Sequence, residues 1–249
     1  MPGLIDSERP PRRQMTLFFI IDKSGSMGGS KIGSVNDAIE NVLPMIAEIS
    51  DNNTDAEIRV AALEFSNSTH WLYDEPKLAH EFIWQKVQAS GMTSLGEACV
   101  ELDKKLSRNG GFMSSPSGSY APVVLLLSDG GPTDNFDAGV KKLWENSWFT
   151  NGIRLAISIG NDADDYVLEK FTGSRESIVK VHNLDALKEM IKLMALRSSL
   201  IGSQSKTTSE KTKQSQMEDM LEKIVDNTPG AETVAKPNTA DSDNYDEWD

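Results

Sequence analysis

APVVLLLSDGGPTD, residues 121–134, decides the fold. Its first eight residues form a near-continuous apolar run, which predicts a central parallel strand covered on both faces. The run stops at Asp129, where Gly130 and Gly131 let the backbone turn sharply. A second run, TLFFII (16–21), reads the same way and also stops at a carboxylate, Asp22, inside FFIIDKSGSMGG (18–29). Two serines follow at alternating positions, Ser24 and Ser26. Taken singly, an Asp–Ser cluster or an Asp-Gly-Gly-Pro is an ordinary polar turn.

Working outward, strand and helix signals alternate. Ile32, Val35, Ile39, Val42, Ile46 and Ile49 step by three and four, an amphipathic helix in which Pro44 should introduce a kink or a missing hydrogen bond. IRVAALEF (58–65) and HWLY (70–73) read as strands separated by a short polar stretch, which predicts a hairpin. Leu95, Ala98, Leu102 and Leu106 mark a helix whose start, Ser94-x-x-Glu97, matches a capping box. Phe136, Val140, Leu143 and Trp144 give another, followed by strand IRLAISI (153–159), a short helix near 164–171 and strand SIVKV (177–181). Leu184, Leu187, Ile191 and Met194 give a closing helix. This alternation predicts an α/β fold, a doubly wound, mostly parallel open sheet with one short antiparallel edge strand.

The expected organisation is an N-terminal extension over 1–13, one domain over 14–201 and a flexible acidic tail over 202–249. GSQSKTTSEKTKQS (202–215) is polar enough for a linker, and a short helix over 214–226 follows from Met217, Met220, Leu221, Ile224 and Val225 on one face. The last nine residues, DSDNYDEWD, hold five acids and no base.

The 249 residues carry a net charge of −13, which argues against a nucleic-acid footprint. No stretch approaches the roughly 18–20 apolar residues of a membrane span. Residues 1–14 lack the apolar core of a secretory signal. Cys99, the single cysteine, shares a helical face with Leu95, Leu102 and Leu106 and reads as core. A chain without an internal disulfide suits a reducing compartment, so the expected location is the cytoplasm.

In an open α/β sheet, ligands gather beyond the carboxyl ends of the strands. The first strand delivers Asp22, Ser24 and Ser26 there, the central strand delivers Asp129, and SGMTSLGEA (90–98) sets Thr93 at the mouth of a helix. These donors are two carboxylates and three hydroxyls, hard oxygens that suit Mg²⁺ or Mn²⁺ and disfavour Zn²⁺ or Cu²⁺.

Asp22-x-Ser24-x-Ser26, then Thr93, then Asp129 resembles the metal-ion-dependent adhesion site (MIDAS) of von Willebrand factor A domains, and the element order is similar over about residues 14–201. IDKSGSM, GMTSLG and LLSDGGPTD resemble in particular the bacterial intracellular, tellurium-resistance-type branch. Met92 stands where the family's usual GGT has its second glycine, which leaves the Thr93 hydroxyl intact but bears on the loop's shape. The resemblance implies a site in which Ser24 and Ser26 bind the cation directly, Thr93 directly or through water, and Asp22 and Asp129 largely through water. It further implies that an Asp or Glu carboxylate of a partner protein completes the coordination. The implied role is a non-enzymatic adaptor, with a protein kinase or PP2C-like phosphatase as partner in stress or defence signalling.

Two other readings stand beside it. A Mg²⁺-dependent phosphatase or phosphotransferase of the haloacid-dehalogenase kind would need a second Asp where Ser24 stands. A P-loop would need Gly at Ser30 and Ser or Thr at Ile32, and a G-x-S-x-G elbow around Ser26 fails at Ser24. The other reading is an interaction module whose metal site is vestigial. A further hypothesis has the carboxylates of DSDNYDEWD, at the end of the tail, fill the open metal position; its alternative is a solvated acidic tail or a docking peptide.

Overall fold

The computed structural model describes residues 11–129, 131–160, 163–204 and 211–235. Among them, eight strands form one sheet: β1 (Arg13–Asp22), β2 (Ala56–Phe65), β3 (Thr69–Trp71), β4 (Lys77–Leu78), β5 (Val123–Ser128), β6 (Ile153–Ile159), β7 (Ile178–Val181) and β8 (Ala231–Thr233). The spatial order is β3-β2-β1-β5-β6-β7-β8, with β4 also paired to β2. The five strands β2, β1, β5, β6 and β7 are parallel to their neighbours in this order. The hairpin expected after residue 58 is present, β2 pairing antiparallel with β3.

Alternation along the strands sends side chains to two cores. Leu17, Phe19 and Ile21 of β1, with Val123, Leu125 and Leu127 of β5, pack under α1 (Ser30–Asn52) and α6 (Leu184–Gly202). Phe18 and Ile20, with Val124 and Leu126, pack under α2 (Leu95–Lys105), α3 (Phe136–Trp144) and α5 (Asp165–Thr172). A single-turn helix, α4 (Ser147–Thr150), precedes β6 and buries Phe149. Both faces of the central strands are therefore dry, which is why they read as unbroken apolar runs. α1 continues through Pro44, which lies on its exposed side, where the carbonyl that loses its partner can reach water.

Three expectations are corrected. The sheet carries three short antiparallel strands, β3, β4 and β8, where one was expected. Ser94 makes no side-chain cap on α2; the Asp134 carboxylate takes that role from the loop after β5, accepting from the Gly96 N–H at 2.9 Å and the Glu97 N–H at 2.8 Å. A remote carboxylate also brings charge to the positive helix end, which a local serine cannot.

The third correction concerns the tail. A helix is indeed found, α7 (Lys213–Val225), but it packs on α6 with Met217 and Leu221 fully buried, and β8 then joins the edge of β7. Residues 211–235 thus belong to the folded domain, because the apolar stripe of α7 is long enough to bury and β7 offers an open edge. At the other end, Arg13 already lies in β1 and the Arg12 guanidinium bonds the Ser50 and Asn53 carbonyls at the end of α1. The remainder of the proposed N-terminal extension (1–10) and DSDNYDEWD (241–249) lie outside the described residues.

α2 and α3 cross closely, and two glycines allow it. A Cβ added to Gly139 would stand 2.3 Å from the Gly96 carbonyl oxygen. Gly139→Ala gains about 1 kcal/mol of helix propensity, but the backbone overlap costs about 2–4 kcal/mol. The expected net result is destabilisation, read as a lower urea midpoint with an unchanged m value.

Candidate metal centre

The sheet reverses its direction of growth between β1 and β5, with Ile21 opposite Leu127. Such a reversal opens a crevice beyond the carboxyl ends of the strands. Asp22 ends β1 and Asp129 follows β5, so both carboxylates are delivered to this crevice.

Asp22 is fully buried and held at both oxygens. The Ser24 N–H donates to Oδ1 at 2.8 Å and the Ser128 hydroxyl donates to Oδ2 at 2.7 Å. The Ser24 and Ser26 hydroxyls lie 3.0 Å apart, and Ser26 Oγ donates to Asp129 Oδ1 at 2.7 Å. Asp129 Oδ2 accepts from Lys31 Nζ at 3.0 Å. Four of the five expected donors, Asp22, Ser24, Ser26 and Asp129, are thereby joined into one chain of hydrogen bonds.

Thr93, also buried, comes to the same end of the sheet through its loop. The Gly25 N–H donates to the Gly91 carbonyl at 2.9 Å and the Ser90 N–H to the Lys23 carbonyl at 2.7 Å, which ties this loop to the serine loop. Thr93 N–H donates to Thr133 Oγ1 at 3.1 Å, and Thr133 N–H returns a bond to the Thr93 carbonyl at 2.8 Å. The Thr93 loop is thus fastened to the serine loop on one side and to the loop after Asp129 on the other.

The departure at Met92 is explained by its neighbours. Gly91 takes the left-handed conformation, φ +82°, and its missing Cβ would collide with the Asn67 side chain at 2.8 Å. Asn67 Oδ1 accepts from the Met92 N–H at 2.8 Å, while the Met92 side chain points to solvent. Glycine is therefore required at 91 and not at 92. Asn67, Ser128, Thr133, Asp134 and Lys31 are contributors that sequence reasoning did not assign. Thr133 and Asp134 stand in the LLSDGGPTD motif, where a signal was present; Asn67 and Lys31 carry no motif.

Burial is the main influence on Asp22 and pushes its carboxyl above the ordinary value; the Asp129 charge adds to this, while the hydrogen bonds from Ser128 and Ser24 oppose it. A carboxyl raised on folding binds its proton more tightly in the native state. Without metal, its contribution to stability is therefore greatest in acid and is lost as pH rises through the folded pKa. Asp22→Asn keeps the shape and removes the charge. In EDTA, it should unfold at a higher temperature than wild type at pH 7 and show a smaller advantage at pH 4, as thermal melts would record.

The donor set fits a hard divalent cation. It is all oxygen, four of its five residues (Asp22, Ser24, Thr93 and Asp129) are buried while Ser26 faces solvent, and it holds two carboxylates whose mutual repulsion a cation relieves. Among the described residues, no group of three or more His, Cys, Asp or Glu side chains is placed to hold a metal, so a site here depends on hydroxyl donors beside its two carboxylates.

The model of the von Willebrand factor type A domain matches residues 16–193. The chain belongs to the von Willebrand factor type A domain family. Among solved structures, it is similar to a von Willebrand factor type A protein from Catenulispora acidiphila, at 19% identity and TM-score 0.56, over 75% of this chain and 43% of that one. It is similar to proximal thread matrix protein 1 from the mussel byssus, a structure with a zinc-occupied MIDAS motif, at 15% identity and TM-score 0.56, over 76% and 48%. It also resembles the pilus adhesin SpaC from Lactobacillus rhamnosus GG, at 15% identity and TM-score 0.60, over 75% and 30%. At these identities the likeness concerns the fold. Among curated proteins, mouse inter alpha-trypsin inhibitor heavy chain 4 is 27% identical over 133 residues, 51% of this chain but 13% of that protein. The chain therefore spans less than half the length of each of these relatives.

Proposed function

We propose that this domain is a metal-dependent protein-binding module that captures an acidic side chain of a partner protein at the carboxyl end of its sheet. The observation that carries the reading is the hydrogen-bonded meeting of Asp22, Ser24, Ser26 and Asp129, with the Thr93 loop fastened beside them. Ser24, Ser26 and Thr93 would hold Mg²⁺ or Mn²⁺ through neutral hydroxyls, with Asp22 and Asp129 supplying charge around it. A cation bound mainly by neutral hydroxyls keeps much of its charge and offers an anionic carboxylate a position to bind. Both Asp22 oxygens are already engaged by Ser24 and Ser128, which suits a supporting role better than direct ligation. The zinc-occupied MIDAS of the mussel relative supports metal binding by such a motif.

A binding role also fits the side chains available. His70, His80 and His182 pair with Glu64, Glu81 and Glu232. Cys99 is buried, which pushes its thiol well above the ordinary range and leaves it inert. No helix among the described residues is long and apolar enough to cross a membrane. The likeness of three motifs to the tellurium-resistance-type branch supports a cytoplasmic adaptor working with a protein kinase or PP2C-like phosphatase.

Titration with Mn²⁺, followed by electron paramagnetic resonance, tests the reading. One bound ion per chain, displaced by excess Mg²⁺, is the expected result. Capture of partners in Mg²⁺ but not in EDTA would extend it to function. Equal capture in both would leave an interaction module that does not use the metal.

A further inference from the structure

Lys31, on the first turn of α1, reaches back into the donor cluster. Its Nζ lies 3.0 Å from Asp129 Oδ2, and the Lys31 and Asp129 side chains are only 20% and 2% exposed. Gly160, just past β6, makes room for it: a Cβ there would stand 3.2 Å from Nζ. The exposed pairs of this chain, such as Lys104–Glu101 and Lys211–Asp219, lie in water and are heavily screened. The Lys31–Asp129 pair is screened far less, because its carboxylate is withdrawn from solvent. The remaining oxygen of Asp129 is taken by Ser26, itself one of the donors.

We propose that Lys31 is a tethered cation that competes with the divalent metal for Asp129 and so sets the metal affinity of the site. This inference rests on the metal-binding reading above. An ammonium and a divalent ion that share one carboxylate repel each other across a poorly solvated space. Metal entry therefore requires the ammonium to withdraw from Asp129 or to tolerate that repulsion. A partner's carboxylate attracts the displaced ammonium, so the acidic partner and the metal favour each other's binding, in the reciprocal way that linkage demands.

The test compares Mn²⁺ affinity, by electron paramagnetic resonance, in wild type, Lys31→Met, Lys31→Gln and Lys31→Arg. Removing the charge in Lys31→Met should tighten Mn²⁺ binding about tenfold or more, and Lys31→Gln, which keeps a hydrogen-bond donor, should behave alike if Lys31→Met folds poorly. Lys31→Arg should stay close to wild type. In EDTA, the neutral variants should melt below wild type, because Asp129 loses its cation, and saturating Mn²⁺ should close the gap. Equal or weaker Mn²⁺ binding by both neutral variants would overturn the role of Lys31 while leaving the metal site standing. No Mn²⁺ binding by any of the four proteins would overturn the metal site, and this inference with it.

Discussion

Asp129→Ala should lower Mn²⁺ affinity by about 100-fold, to the edge of detection, without unfolding the domain. Asp129 supplies one of the two buried charges at the crevice and accepts the Ser26 hydroxyl, so its removal costs the cation an anion and frees a donor from its position. The fold should survive. Asp129 follows β5 and takes no part in its ladder, and its charge contributes to the upward push on the Asp22 carboxyl, which is relieved when it goes. Asp129→Asn, equal in shape, separates loss of charge from loss of packing. Titration of both variants beside wild type, with melts in EDTA, gives the answer. Unchanged Mn²⁺ affinity in Asp129→Ala would remove this crevice as the metal centre.

Truncation after Gln204 should cost the domain about 5 kcal/mol or more, a large part of the 5–15 kcal/mol typical of a folded domain. Met217 and Leu221 are each fully buried, worth about 1.5–3 kcal/mol apiece. Gln214 clamps the start of β6, accepting from the Arg154 N–H at 2.8 Å and donating to its carbonyl at 3.1 Å. Lys213 bonds the Gly202 and Gln204 carbonyls at the end of α6. The β8 ladder on β7 is lost as well. The expected protein melts far below the full chain or is recovered insoluble. A truncated domain as stable as the full chain would show that α7 and β8 are dispensable.

The parallel core and the meeting of Asp22, Ser24, Ser26 and Asp129 at the strand ends were legible because they depend on local signals. Unbroken apolar runs at 16–21 and 121–128 mark strands that are dry on both faces, and each ends in its own carboxylate. Hydroxyls spaced two apart, as in Ser24 and Ser26, lie near their carboxylate in the chain before any folding brings other residues in. Thr93 was legible as a donor type, while its attachment to Thr133 was not.

What only the tertiary structure decided involves residues far apart in sequence. Asp134 replaces Ser94 as the cap of α2 because the loop after β5 lies across that helix end. Asn67 shapes the loop at Gly91 from 24 positions away, counting 91 minus 67, through contacts that no composition or spacing reveals. Lys31 looks like an ordinary polar position at a helix start, yet its length and the space left by Gly160 bring its ammonium onto Asp129. The stretch after Gly202 was misread because a polar linker and a weak amphipathic stripe cannot tell whether an apolar groove and an unpaired strand edge are waiting. Sequence by itself determines which segments must leave water and which chemistry they carry to the strand ends. Tertiary structure decides which distant groups share that chemistry, since hydrogen bonds and ion pairs depend on distances of about 3 Å that only the packed chain defines.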